Sequence, residues 1–378
     1  MTDRPARPVD GARPVDGTPR SHPALRTPIC ELFGVRYPIV QTAMGFVSGP
    51  RLVAATANAG GLGILAGATL DLPELATAIA EIRRRTSAPF GVNLRADATD
   101  AAARVDLLIR EHVRVVSFAL APKPELIARL RDAGVRVVPS VGARRHAEKV
   151  AGWGADAVIV QGAEGGGHTG AVPTSLLLPQ VADAVDIPVI GAGGFFDGRG
   201  LVAALAYGAA GVAMGTRFLL TSDTTVSPQV QRRYLDAGLD GTVVTRALDG
   251  VPQRVLRTDL IDRLEHAGPL RRLVRSARSA ARFRRLTGTP WRHLLAEGLA
   301  MRRSRELTWS QVLLAANTPM LLRAAMVDGR VDLGVMATGQ VTGLIDDLPS
   351  CAELIDRIVA EAVAVLDTLQ EGRSDGDR

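Results

Sequence analysis

The amino-acid sequence predicts an α/β fold, a (β/α)8 (TIM) barrel carrying a C-terminal helical insert after strand eight. Three observations predict it. Short apolar, β-branched runs alternate with helix-compatible stretches from about residue 27 onward. Eight such runs occur before the rhythm stops. Several units also share one syntax: a helix ending in Ala-Gly or Gly-Ala, then a β-branched run, as at 58–61, 132–135, 153–156 and 207–210. Glycine at such a point supplies the left-handed residue that ends a helix and turns the chain into the next strand. Eight units of this kind close into a barrel more readily than they form an open sheet.

The strands are read at 38–42, 61–65, 90–94, 113–117, 136–139, 157–161, 188–191 and 211–214. Ahead of them, residues 1–24 are rich in Pro, Gly, Arg and Asp, and ARPVDG at 6–11 is repeated at 12–17. Such a tract buries too little apolar surface to offset its ordering entropy, so a disordered tail is expected. The barrel is assigned to 25–224. Residues 225–335 read as a helical insert covering the barrel mouth, with helices at 228–235, 259–264, 271–286, 291–301 and 310–326 and extended stretches at 241–246 and 253–256. The remainder, 336–378, holds a last helix at 351–370. Leu354, Ile355, Ile358, Val359, Ala362 and Val365 share one side of it, which should return to the barrel.

Composition narrows the function classes. Of 378 residues 47% are apolar, with abundant Ala, Val, Leu and Gly, which suits a buried parallel sheet wrapped by helices. Only 4% are aromatic, too few for a platform that stacks nucleic-acid bases. No apolar run of about 18 residues crosses a membrane, and the N-terminus lacks the apolar stretch of a secretory signal. Cys30 and Cys351 stand far apart without metal-ligand spacing and read as reduced thiols of a cytoplasmic protein. The six histidines are scattered, and no metal site is expected. The net charge of +6 is uneven: residues 254–305 hold 14 arginines against four acidic residues, so the basic character belongs to one insert.

Active sites of such barrels lie where strands end and the following loops begin. After the sixth strand, residues 161–170 read QGAEGGGHTG. Three successive glycines expose backbone N–H groups and let a flat ligand approach the main chain. His168 closes that run and can donate or accept a proton at the mouth. Taken alone, the same run also suits a flexible surface loop with a solvated histidine. A second constellation comprises Gly191, Gly193 and Gly194 after strand seven and Met214, Gly215 and Thr216 after strand eight. Loops after these two strands, with a short helix N-terminus, form the phosphate site of many such barrels; tight turn packing is the bland reading. Asn93 ends strand three and offers donors and an acceptor to the edge of a ring, although Asn at a strand end also makes Asx turns. Gln41, Met44 and Gly45 follow strand one and are weak signals singly.

These residues together resemble a known family. The runs 41–45, 58–63, 91–93, 161–170, 191–194 and 214–216 are similar to the nitronate monooxygenase (2-nitropropane dioxygenase) family, over about residues 27–350. The resemblance implies FMN on a barrel, with its phosphate on Gly193, Gly194, Gly215 and Thr216. It implies flavin contacts from Gln41, Met44, Asn93, Gln161, Gly166, Gly167 and Met214, with catalytic His168 beside the ring. Gly165 stands where the monooxygenases usually carry alanine. The runs 193–200, 308–311, 315–320 and 339–340 resemble one branch more closely, actinobacterial flavoproteins of steroid C/D-ring breakdown. That branch implies dehydrogenation of a hydroindane carboxyl-CoA thioester; the alternative is oxidation of alkyl nitronates with O2. NAD or another electron acceptor and a homo-oligomer are compatible with the resemblance. Because a CoA ester carries phosphates that guanidinium groups pair with, Arg254 and Arg257, with members of 271–285, are candidates to hold it, each also readable as a solvated charge.

Overall fold

The computed structural model describes residues 22–119, 122–266 and 318–374. Eight parallel strands close into a barrel in the order β1 (Ile39–Gln41), β2 (Leu62–Leu65), β3 (Phe90–Leu94), β4 (Val115–Phe118), β5 (Arg136–Val141), β6 (Val158–Gln161), β8 (Val189–Ala192) and β9 (Gly211–Met214). Closure is made by β1 against β9, Ile39 opposite Val212 and Gln41 opposite Met214. All eight expected runs are strands. The fourth is shifted toward Phe118, because its ladder with β5 runs from Val115 opposite Arg136 to Phe118 opposite Pro139.

The strands are short β-branched runs buried on both faces, as a parallel barrel requires. Their side chains alternate between two environments. Val40, Leu62, Ile64, Val115, Val138 and Ile190 meet inside the barrel, and helix α1 (Pro28–Phe33) plugs its lower end with Ile29 and Phe33. The intervening residues pack outward against the helices between strands: α2 (Pro50–Asn58), α3 (Leu72–Arg85), α4 (Ala101–Arg110), α5 (Pro124–Asp132), α6 (Arg144–Gly152), α7 (Thr174–Ala182) and α8 (Gly198–Ala206). Asp197 caps α8, its carboxylate accepting from Gly200 N at 2.8 Å. A single turn, α9 (Thr216–Leu219), follows β9.

Beyond the barrel come α10 (Pro228–Leu235), β10 (Thr242–Thr245), β11 (Gln253–Leu256), α11 (Asp259–Glu265), α12 (Thr318–Met326) and α13 (Cys351–Ser374). The expected helices at 271–286 and 291–301, the first part of that at 310–326, and residues 1–21 of the tail lie outside the described residues. The last three tail residues, 22–24, enter a 3-10 turn, Pro23–Leu25, whose Leu25 is buried. Helix α13 buries Leu354, Ile355, Ile358, Val359 and Ala362 against α8 and α2, with Val365 partly covered. The insert is tied into the barrel. The hairpin β10–β11 forms a three-stranded sheet with β7 (Gly167–His168), a piece of the loop after β6. Among the described residues no helix is long and apolar enough to cross a membrane.

Candidate active site

Strand alternation sends Asn93, Ser140, Ile159, Gln161, Ala192 and Ala213 upward into one cavity of about 350 Å³ at the C-terminal end of the barrel. Met44 and Gly45 reach it from the loop after β1, and Met214, Gly215 and Thr216 from the end of β9. The far wall comes from beyond the barrel: Leu322 and Met326 of α12, and the stretch 337–339 with Val341. Gln41 stands outside this lining. It is fully buried and does not line the cavity, because Val40 and Thr42 take the inward positions of β1 and Gln41 the outward one. Its amide Nε2 instead donates to Ser48 Oγ at 2.9 Å and Ile64 O at 3.3 Å, holding the loop that carries Met44.

The glycine loop is stapled from several sides. Gln161 Nε2 donates to His168 O at 2.8 Å and Gly166 O at 3.3 Å. Glu164 accepts from Thr174 N at 3.0 Å and from Thr174 Oγ1 at 2.7 Å, tying the loop to the start of α7. The half-buried Arg254 guanidinium donates to Ala163 O at 3.2 and 3.1 Å and to Thr242 Oγ1 at 2.9 Å. Arg254 therefore turns inward onto the loop, whereas Arg257 is exposed.

At the opposite end Gly193 and Gly194 adopt positive φ of 94° and 85°, a backbone that a residue with a Cβ rarely takes. The N–H groups of Gly193, Gly194 and Gly215 find no acceptor among the described residues. Backbone donors left unpaired beside a cavity fit an anionic group, and the carboxamides of Asn93 and Gln161 fit the polar edge of a flat ring. Thr216 Oγ1 also accepts from Gly339 N at 2.8 Å. Thr338 and Gly339 thus join the site from the C-terminal segment; of the two only Gly339 was marked beforehand, by the similarity of 339–340 to one branch of the family.

His168 lines the cavity with its side chain 55% exposed, and its Nε2 lies 2.7 Å from Oδ2 of Asp249, whose side chain is 6% exposed. Burial pushes the Asp249 carboxyl up, but the His168 ring, the Gln253 amide and the Val251 N–H outweigh it and hold the group below the usual carboxylate range. Sequence reasoning did not find Asp249. It is 81 residues from His168 and belongs to no motif.

The nitronate monooxygenase family matches residues 26–106 and 100–361. The chain belongs to that family. Its members are flavin-dependent oxidoreductases, and this chain is an oxidoreductase of that kind. A (3aS,4S,5R,7aS)-5-hydroxy-7a-methyl-1-oxo-octahydro-1H-indene-4-carboxyl-CoA dehydrogenase of Mycobacterium tuberculosis is 64% identical over 347 residues, covering 91% of this chain and 98% of the relative. A dehydrogenase of the same name from Rhodococcus jostii is 63% identical over 345 residues, with the same coverage. Among solved structures, FabK from Thermotoga maritima superposes with a TM-score of 0.75 at 33% identity, covering 92% of this chain and 99% of that one.

Proposed function

We propose that this member of the family is an FMN-dependent dehydrogenase that introduces a C=C bond into a hydroindane carboxyl-CoA thioester derived from steroid breakdown. One observation carries the reading: identity of 64% to a dehydrogenase of that name extends over 91% of the chain. So wide a match takes in the segment after β9 that walls the cavity, where a substrate must rest. The apolar wall of Leu322, Met326 and Val341 suits a saturated bicyclic ring.

Removing two hydrogens beside a thioester requires a base for the acidified α-proton and an acceptor for the β-hydride. FMN, with its phosphate at Gly193, Gly194, Gly215 and Thr216, would supply the hydride acceptor. Asn93, Gln161, Met44, Met214, Gly166 and Gly167 line the rest of the cavity that would receive it. His168 takes the proton at the cavity mouth. Of the arginines named for the CoA phosphates, Arg257 is exposed and open to a ligand, whereas Arg254 is engaged with Ala163 and Thr242.

Two measurements test the reading. Anaerobic addition of the CoA thioester should bleach the flavin absorbance of the purified protein, and cofactor released by heat should have the mass of FMN. Bleaching by an alkyl nitronate but not by the thioester would replace this reading with nitronate oxidation. His168→Ala should keep its flavin while turnover falls about 10²–10⁴-fold, the usual contribution of a general base. Turnover near that of the wild type would remove His168 from the chemistry.

A further inference from the structure

We infer that Asp249 is the positioning residue of His168: a buried carboxylate, supplied by the hairpin beyond the barrel, that fixes the imidazole's tautomer and steadies its charge once it has taken a proton. The inference rests on the reading of His168 as the proton acceptor and deepens it.

Strand pairing sets the geometry. In the sheet formed by β10, β11 and β7, Gln253 lies opposite His168 and Arg254 opposite Gly167. The turn between β10 and β11 therefore hangs beside the histidine, and Asp249 sits in that turn. Every oxygen of its carboxylate is engaged. Oδ1 accepts from Val251 N at 3.0 Å, and Oδ2 accepts from Gln253 Nε2 at 2.6 Å and from His168 Nε2 at 2.7 Å. Gln253 is itself 2% exposed and lines the cavity, so the carboxylate is held by two rigid donors before the histidine is counted.

The protonation pattern follows from donor chemistry. An ionised carboxylate only accepts hydrogen bonds, so His168 Nε2 must carry the proton in this pair. Nδ1 is then the basic nitrogen of the neutral ring, and it meets no partner among the described residues. A proton taken at Nδ1 makes an imidazolium whose Nε2–H already points at a fixed negative charge. A buried carboxylate holding a histidine in one tautomer through its second nitrogen is a recurring device of acid–base sites. Sheet pairing fixes the backbone of His168, Gln161 grips its carbonyl, and Asp249 sets its ring.

The test is Asp249→Asn. Asparagine keeps the oxygen that accepts from Val251 N, and with it the local turn, but replaces the acceptor facing His168 by an amide donor. Its kcat should fall about 10–100-fold, as expected for loss of a partner that orients a functional histidine, while KM and flavin content stay near wild type. In a His168→Ala background the same substitution should cause no further loss. Wild-type kcat in D249N, or a loss that multiplies with that of H168A, overturns the role of Asp249. Wild-type turnover in H168A itself overturns instead the reading of His168. A measurement on the wild type covers the case in which D249N does not fold. With 15N-labelled histidine, and the His168 signal assigned by its disappearance in H168A, the neutral ring should be protonated at Nε2. Protonation at Nδ1 would overturn the inference.

Discussion

At the scale of single residues, the site depends on side chains that are absent. A Cβ at Gly166 would lie 2.5 Å from the carbonyl carbon of Thr338 and 2.6 Å from Gly339 N, so the glycine loop and the C-terminal segment meet backbone to backbone. That contact brings Gly339 N to Thr216 Oγ1 at 2.8 Å and Gln340 N to Glu164 O at 2.9 Å. Gly166→Ala should force the two segments apart and cost about 1–3 kcal/mol, typical of overpacking. The expected outcome is a lower thermal midpoint together with weaker flavin retention, read from absorbance after gel filtration. An unchanged midpoint and full flavin content would show that the contact is not needed. That glycines crowd residues 165–167 was legible in the sequence. What crowds against them was not, because Thr338 and Gly339 lie far along the chain.

At the scale of elements, the C-terminal helix is locked to the barrel through Asp347. Its carboxylate accepts from Arg217 Nη1 at 2.8 Å and from Arg357 Nη1 at 2.6 Å, joining α9 to α13. Arg217 is 3% exposed and also donates to Leu220 O and to the Asp347 carbonyl. Burial pushes the Asp347 carboxyl up, yet the Arg357 and Arg217 guanidinium groups hold it below the ordinary carboxylate range. The group ionises more readily folded than unfolded. Its stabilisation is therefore complete above the ordinary range and is lost as pH falls through the depressed folded value. Asp347→Asn leaves a buried guanidinium without its counter-charge. It should lower stability at neutral pH by about 1.5–3 kcal/mol, the usual worth of a charged hydrogen bond. In thermal melts the gap between wild type and variant should close on acidification; a gap constant with pH would refute the lock. The apolar face of α13 was readable from its spacing. The ion pairs were not, since nothing local distinguishes Arg217 or Asp347 from an exposed charge.

At the scale of the whole molecule, charge and shape are divided between two parts of the chain. The barrel supplies the cavity floor, and the segment beyond β9 supplies its far wall and the partner of His168. The same segment opens the arginine-rich stretch at 254–305, whose net charge is about +10 while the rest of the chain is near −4. On the proposed substrate, that asymmetry should act on the CoA phosphates and not on the ring. Affinity for the thioester, measured by calorimetry, should weaken as ionic strength rises, with the free acid much less affected. Equal salt dependence of the two ligands would mean that the arginines do not hold phosphate.

By itself the sequence determined the eight strands, their order, the tips that carry glycine, and the histidine among them. All of these follow from periodicity and turn chemistry within a few residues, where local sterics and apolar spacing decide the outcome. Only the tertiary structure decided that Gln41 faces away from the cavity, that Arg254 turns onto the Ala163 carbonyl, and that Asp249 meets His168. Each depends on the register of paired strands or on a contact between segments distant in the chain. A register shift of one residue reverses which face a side chain takes, and no local signal records that choice.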